Sequence, residues 1–157
     1  MFYGMYNNND PYNTLGLRNV RNAIKREYNC AGYALGCFSW YCPDDGTRYC
    51  YFDEYNNESM HEQTMHFVKN ILQDFPSLRL IDSIEQAQKS DEVIAFRLST
   101  KITDFHFMVR KHGRWYHKQG GKPAIDTVTE QIALRESWFN DYGNEYDGEI
   151  ILMVKTF

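Results

Sequence analysis

The chain has 157 residues, of which 43% are hydrophobic and 16% aromatic. This length predicts a single domain over residues 1–157, and the composition excludes a disordered chain. The 17 Lys and Arg residues against 21 Asp and Glu give a formal net charge of −4. Nucleic-acid-binding surfaces need clustered basic residues, which this charge balance does not favour, so we expect no nucleic acid as partner. The sequence also has no run of about 18 apolar residues, the length that a membrane-spanning helix needs, so we expect no membrane as partner.

The first segment, residues 1–15, is rich in Tyr and Asn and predicts an irregular N-terminal arm. It has neither a basic end nor an apolar core, so it does not resemble a signal peptide. We therefore expect the chain to be cytoplasmic as synthesised, with release or export only by a non-classical route. A helix is predicted over residues 17–27. A second helix, rich in small residues and suited to close packing on a sheet, is predicted over residues 30–41.

All four cysteines, Cys30, Cys37, Cys42 and Cys50, fall within one short stretch and form no CxxC pair. In a chain without a signal peptide, this pattern predicts free thiols rather than disulfides or a zinc site. Cys37 follows Cys30 at helical spacing, so we expect it on the same helical face in the core. Cys42 and Cys50 are expected in a loop.

A third helix is predicted over residues 60–74. Ser59 and Glu62 have the spacing of a capping box, and Pro76 ends the segment. His61 and His66 on this helix resemble the zinc motif HExxH, but they are one residue too far apart to share a face. The acidic residues between positions 44 and 54 lack the ligand order of a calcium loop. We therefore expect no metal and no cofactor.

The second half of the chain changes to extended segments, with Gly113 in a hairpin turn. Residues 120–123 are expected to close that hairpin. Together with the helices before it, this half predicts an α+β fold in which N-terminal helices pack on an antiparallel sheet of four to six strands. The predicted segments are a short strand at 78–81, a helical turn at 83–88, strands at 92–99, 105–110 and 114–118, a weak helix at 129–139 and a last strand at 149–155.

Three residues have the properties of a thiol hydrolase site. Cys30 stands at the predicted first turn of a helix, where backbone N–H groups favour the thiolate, so we expect a lowered pKa there. His106 begins a strand and can act as general base. His117, on the partner strand of the hairpin, is expected to orient His106. Asp104 and Asp126 are the alternatives for that role.

Four short segments also carry a family resemblance: Asn-Cys-Ala-Gly-Tyr at 29–33, Asp-Glu-Val-Ile-Ala-Phe at 91–96, His-Phe-Met-Val at 106–109 and Gly-Arg-Trp-Tyr-His at 113–117. They are similar to the Asp-Cys-Ser-Gly-aromatic motif and to the Gly-Asp-Leu-Ile-Phe-Phe, His-Val-Gly-Ile and Gly-Lys-Phe-Ile-His strands of the NlpC/P60 family of papain-like cysteine peptidases. The sequence departs from that pattern at Asn29, Ala31 and Phe107.

The resemblance implies a papain-like cysteine hydrolase in which Cys30 attacks an amide, His106 is the base and His117 is the third member. It also implies a cell-wall peptide of peptidoglycan or a protein as substrate, in a bacterial or phage context. Trp115 and Tyr33 are expected to bind the substrate. Two alternatives stay open: an inactive papain-like binding or inhibitory protein, or a deamidase or transferase acting on a protein side chain.

Overall fold

A computed structural model of the chain describes residues 28–43, 59–120, 122 and 124–156. The predicted arm, the helix at 17–27, the acidic segment at 44–54 and Cys50 lie outside these residues. In the described part, no helix has both the length and the apolar character needed to cross a membrane.

The described residues form an α+β fold around a six-stranded antiparallel sheet, with a separate two-stranded sheet beside it. The elements in chain order are α1 (Cys30–Leu35), α2 (Met60–Asp74), β1 (Leu78–Ile81), a 3-10 turn (Ile84–Gln86), β2 (Val93–Leu98), β3 (Phe105–Lys111), β4 (Arg114–Lys118), β5 (Ile125–Val128), α3 (Glu130–Arg135), β6 (Trp138–Phe139), β7 (Glu145–Tyr146) and β8 (Ile151–Lys155).

The large sheet has the strand order β1-β8-β2-β3-β4-β5. Strands β2 and β3 pair along their whole length, from Val93–Arg110 to Leu98–Phe105. In contrast, β3 and β4 pair only beside their tight turn, and the last pair away from that turn is Val109–Tyr116. The backbones of β3 and β4 are therefore unpaired with each other at the end of the sheet where β3 begins.

Each face of the large sheet has its own hydrophobic core, as the alternation of side chains along a strand requires. On one face, α1 and α2 pack against strand residues that include Phe96, Phe107 and Val109. On the other face, α3 and the β6–β7 hairpin pack against residues that include Met108 and Trp115. The cysteine helix and the hairpin therefore pack on opposite faces of the sheet, and residues at the start of the helix and in the hairpin come together only at one end of the sheet.

Several predicted elements are confirmed. The helix at 60–74 and the strands at 78–81 and 114–118 have the predicted bounds. The capping box is present, since the Ser59 hydroxyl accepts from the Glu62 N–H and the Glu62 carboxylate accepts from the Ser59 N–H. The six antiparallel strands also fall within the predicted number.

Two predictions in the first half and the middle of the chain are wrong. The helix predicted over residues 30–41 ends at Leu35, because Gly36 adopts a left-handed φ of 76° and caps it. Cys37 therefore lies after the helix, partly buried, and not on its face. The sheet does not end with the hairpin, because β5 pairs with β4 beyond it; β5 is an edge strand whose central residues, Asp126 and Thr127, are exposed and polar, so it shows no apolar alternation.

The predicted helix at 129–139 is also too long. Helix α3 ends at Arg135, and Trp138 and Phe139 form a short strand instead. Its partner β7, at Glu145 and Tyr146, was not predicted because two residues are too few to show a period. This small hairpin matters because it contributes a wall of the site described below.

We expect Gly32→Ala to destabilise the domain by about 3 kcal/mol. An added Cβ would lie 2.0 Å from the carbonyl oxygen of Ser39, a backbone atom that cannot move without displacing the loop after α1. Gly143→Ala is the control, because its φ is +82° but no atom lies near its Cβ position, so only a conformational cost of about 1 kcal/mol is expected there. Urea unfolding of both variants provides the measurement, and equal losses would contradict the prediction.

Candidate active site

Asn29 starts the cysteine helix and ties it to the following loop. Its side-chain oxygen accepts from the Gly32 N–H at 3.0 Å and from the Tyr41 N–H at 3.2 Å. Its side-chain NH₂ donates to the Tyr41 carbonyl at 2.7 Å. The capping role is typical of Asn at this position. As a result, the residue directly after Asn29, which is Cys30, has a fixed place at the start of α1.

The Cys30 side chain is buried, with 5% of the residue exposed. Its thiol interacts with the backbone N–H groups of Phe107 and Ala31. Phe107 lies in the part of β3 that has no pair on β4. The thiol is therefore placed at the open end of the β3–β4 pair.

His106 and His117 meet at the same open end of the two strands. The Nε2 of His106 and the Nδ1 of His117 are 2.9 Å apart, and the two rings are nearly perpendicular. This side-chain hydrogen bond joins β3 and β4 beyond their last backbone pair. Because Nε2 of His106 is used in it, Nδ1 is the ring nitrogen with which His106 can exchange a proton.

Two aromatic residues of the β6–β7 hairpin pack against the His106 ring. The Tyr146 ring stacks on it with a centroid distance of 5.2 Å, and the Trp138 ring meets it edge to face at 6.0 Å. The Tyr146 hydroxyl donates to the Asp104 carboxylate at 2.7 Å and accepts from the Asn140 side chain at 3.3 Å. Sequence reasoning missed these contacts, because no local pattern connects Tyr146 to His106.

A cavity of about 370 Å³ opens at this end of the sheet, and both Cys30 and His106 line it. A volume of this size is typical of ligand sites. The β6–β7 hairpin forms one wall and the loops around α1 form another. The lining residues are Asn29, Cys30, Trp40, Cys42, Asp104, Phe105, His106, Gln119, Gly120, Lys122, Asn140, Asp141, Tyr142, Asn144 and Tyr146.

The two residues expected to bind substrate are not in this cavity. Trp115 is 2% exposed and lies in the core between the sheet and α3, since its position on β4 points it to that face. Tyr33 is buried in the other core, and the Lys111 ammonium lies 4.7 Å from its ring centroid. The aromatic residues that line the cavity are instead Trp40, Phe105, Tyr142 and Tyr146.

Of the three candidates for the group that orients His106, only His117 is hydrogen-bonded to it. The Asp104 carboxylate accepts from Tyr146 and from the Phe105 N–H at 2.8 Å. Asp126 stands opposite His117 in the β4–β5 register and is exposed. Its charge favours protonation of His117, but burial has the larger effect and lowers the pKa of His117.

The protonation of Cys30 differs from the sequence expectation. Burial raises the pKa of its thiol to about 12, against the smaller opposing effect of the two N–H groups. The predicted lowering of this pKa was wrong. Burial removes the water that would stabilise the thiolate, and the N-terminus of a helix of only six residues does not compensate for that loss. Burial and His117 together lower the pKa of His106 to about 3. At neutral pH, the resting site therefore contains an uncharged thiol and an uncharged imidazole.

Among the residues that the structure describes, no three His, Cys, Asp or Glu side chains are grouped as metal ligands. His61 and His66 are both exposed on α2. His61 contacts the Glu149 carboxylate at 2.5 Å.

Comparison with known proteins identifies the family. Residues 19–146 match the family described as a domain of unknown function (DUF7689). This match covers most of the chain and includes every residue of the cavity, so the protein belongs to that family. Neither the curated proteins nor the solved structures gave a match.

We expect Asp104→Asn to speed alkylation of Cys30 by iodoacetamide about three- to tenfold at pH 8. The carboxylate charge of Asp104 raises the pKa of the Cys30 thiol, so removing that charge increases the thiolate fraction. Peptide mass spectrometry of the Cys30 peptide provides the rate. Asp126→Asn is the control and should leave it unchanged. Slower alkylation of the Asp104 variant would show that Asp104 supports the thiolate through His106.

We also expect the free energy of unfolding to fall by about 3 kcal/mol between pH 7 and pH 4. Burial lowers the pKa of His106 from 6.5 to about 3, so in this range the unfolded chain binds a proton that the folded chain does not. Stability should therefore decrease as the pH falls. Urea unfolding at each pH tests this, with His106→Gln expected to flatten the curve. A curve for His106→Gln that runs parallel to that of the parent would contradict the assignment.

Proposed function

We propose that this member of the DUF7689 family is a cysteine hydrolase with a papain-like, NlpC/P60-related arrangement, in which Cys30, His106 and His117 cleave an amide bond. The observation that carries the proposal is the 2.9 Å bond between His106 and His117 beside a cavity that Cys30 also lines. A nucleophile, a base and a group that orients the base are the parts that thiol hydrolases require.

The reaction needs one tautomer of each histidine. His106 must carry its proton on Nε2 and donate it to Nδ1 of His117, which leaves Nδ1 of His106 free to accept a proton. His117 then carries its own proton on Nε2. With this arrangement His117 accepts a hydrogen bond from His106 both before and after His106 becomes charged, and it stabilises the imidazolium less than a carboxylate would.

The steps then follow the chemistry of acyl transfer. The Cys30 sulfur attacks the amide carbonyl carbon as its proton moves to Nδ1 of His106, and a tetrahedral oxyanion forms. The carbon–nitrogen bond breaks, the amine leaves with the proton from His106, and a thioester remains. Water attacks that thioester while His106 takes one of its protons, and the acid is released as the thiol is restored.

The first turn of α1 supplies donors for the oxyanion. The backbone N–H groups of Cys30 and Ala31 have no carbonyl four residues earlier within the helix. The Ala31 N–H already interacts with the thiol in the resting site. Once the sulfur has bonded to the carbonyl carbon, this N–H can donate to the adjacent oxyanion instead of to the sulfur. Backbone donors lower the barrier of acyl transfer by stabilising the oxyanion in this way.

The lining of the cavity supports a peptide as the substrate. Its walls combine side-chain amides at Gln119, Asn140 and Asn144 with the rings of Trp40 and Tyr142. Amide groups can bond a peptide backbone, and exposed rings can pack on side chains. We propose a cell-wall peptide or a protein side chain as the substrate, in a bacterial or phage context, with a deamidase or transferase using the same thioester as the related possibility.

One observation favours a second candidate, a binding protein that keeps this scaffold without catalysis. The uncharged state of both Cys30 and His106 makes the resting thiol weakly nucleophilic. In that case Cys30 only fills space in the core. The two candidates differ in whether His106 assists bond formation at Cys30.

The first experiment is a screen for turnover. The protein is incubated with a mixture of muropeptides and of proteome-derived peptides, and new termini are identified by mass spectrometry. We expect products from the parent protein and from Cys37→Ala, a matched thiol control outside the cavity lining, and none from Cys30→Ala. His117→Ala should reduce turnover by roughly 10- to 1000-fold, because the base is less well oriented.

A second experiment does not depend on the substrate. A peptidyl vinyl sulfone needs a proton donor as it reacts with a thiol, so His106→Gln should slow labelling of Cys30 by more than tenfold if His106 is the base. Equal labelling of the parent and His106→Gln, or products that persist with Cys30→Ala, would overturn the hydrolase. The binding-protein candidate would then stand.

A further inference from the structure

Lys118 is the only fully buried lysine in the part of the chain that the structure describes. Its ammonium donates to the carbonyl of Tyr28 and, at 2.5 Å, to the carbonyl of Gly120. It also lies 4.9 Å from the centroid of the Tyr28 ring. Within the described residues no carboxylate forms an ion pair with it. Burying a positive charge without a matching anion costs folding free energy, so we expect Lys118 to serve a function at this position.

The position of Lys118 in the fold suggests that function. Tyr28 comes two residues before Cys30, so the lysine holds the chain segment that leads to the nucleophile. Lys118 also directly follows His117 on β4, and neighbouring residues on a strand point to opposite faces. His117 is therefore directed to His106, while Lys118 is directed to the core that contains Tyr28 and Cys30.

The charges near the thiol explain why a cation is useful there. The charge of Asp104 opposes ionisation of the Cys30 thiol, whereas the charge of Lys118 favours it. When the Cys30 proton moves to His106, the sulfur carries negative charge and the nearby ammonium becomes its counter-ion. A pre-placed cation stabilises that charge more in a buried site than in water.

We propose that Lys118 is a positioning residue of this site, which fixes the segment before Cys30 and supplies the counter-charge for its thiolate. This rests on the proposed function, since a counter-charge is needed only if Cys30 reacts. It also gives one strand two tasks: β4 orients the base with His117 and supports the nucleophile with Lys118.

The test follows the alkylation rate of Cys30 by iodoacetamide from pH 6 to pH 10 in the full chain, with peptide mass spectrometry as readout. Burial lowers the pKa of Lys118 to about 8, so the parent should lose the counter-charge near that pH. Its logarithmic rate plot should show a shoulder there. Lys118→Arg, which keeps its charge throughout, should show no shoulder, and Lys118→Met should react about tenfold more slowly below pH 8 with a straight slope.

Three variants serve as controls. Lys111→Met removes a different lysine that lies over a tyrosine ring of α1, and its profile should equal that of the parent. Besides Lys118, Asp104 and Tyr146 interact electrostatically with Cys30, whereas His106, whose pKa is lowered to about 3, stays neutral over this pH range. Asp104→Asn and Tyr146→Phe should therefore each keep the shoulder near pH 8. A shoulder that disappears in either of these would overturn its assignment to Lys118.

Equal profiles for the parent and Lys118→Met would overturn the counter-charge. If circular dichroism shows that Lys118→Met does not fold, the test uses the pH profile of the parent protein. A plot of the logarithm of its alkylation rate that is straight with unit slope through pH 8 would overturn the proposal. The hydrolase is judged separately, by turnover that is lost in Cys30→Ala. If turnover survives in Cys30→Ala, the proposed hydrolase activity is wrong. If the parent shows turnover but the alkylation profiles of the parent and Lys118→Met are equal, only the role of Lys118 is wrong.

Discussion

The side-chain amide of Asn29 is the contact on which the site depends most. It caps α1 and at the same time bonds both backbone groups of Tyr41, so one residue fixes the start of the helix and the loop that returns beside it. An aspartate could accept the two N–H groups but could not donate to the Tyr41 carbonyl. It would also add a negative charge beside Cys30. The contacts at this position therefore favour asparagine over aspartate in this fold.

The two groups proposed to react are uncharged at rest. Burial makes both the thiol of Cys30 and the imidazole of His106 neutral near pH 7, whereas a carboxylate-supported pair would favour the ionised form. In the proposed reaction, charge would separate only when the proton of Cys30 moves to His106. A neutral His117 agrees with that proposal, because it can orient His106 without adding an anion.

The sequence predicted those parts of the structure that depend on short-range patterns. The capping box at Ser59 predicted α2, and two extended segments around the turn at Gly113 predicted the hairpin. The order of Cys30, His106 and His117 predicted a shared site; His106 and His117 are hydrogen-bonded, and Cys30 and His106 line the same cavity. Contacts made by irregular segments could not be predicted. The stacking of Tyr146 on His106 depends on a two-residue strand, and the raised pKa of Cys30 depends on burial that a helix pattern does not reveal.

The adjacency of His117 and Lys118 makes this end of the sheet sensitive to register. The pairing of β4 with β5, in which His117 lies opposite Asp126 and Lys118 opposite Ile125, sets which of the two neighbours points to each face. A slip by one residue would exchange them, placing an ammonium against His106 and an imidazole against Tyr28. A one-residue insertion or deletion within β4 would therefore displace His117 and Lys118 together. The residues at the positions of Cys30 and His106 would stay the same in sequence.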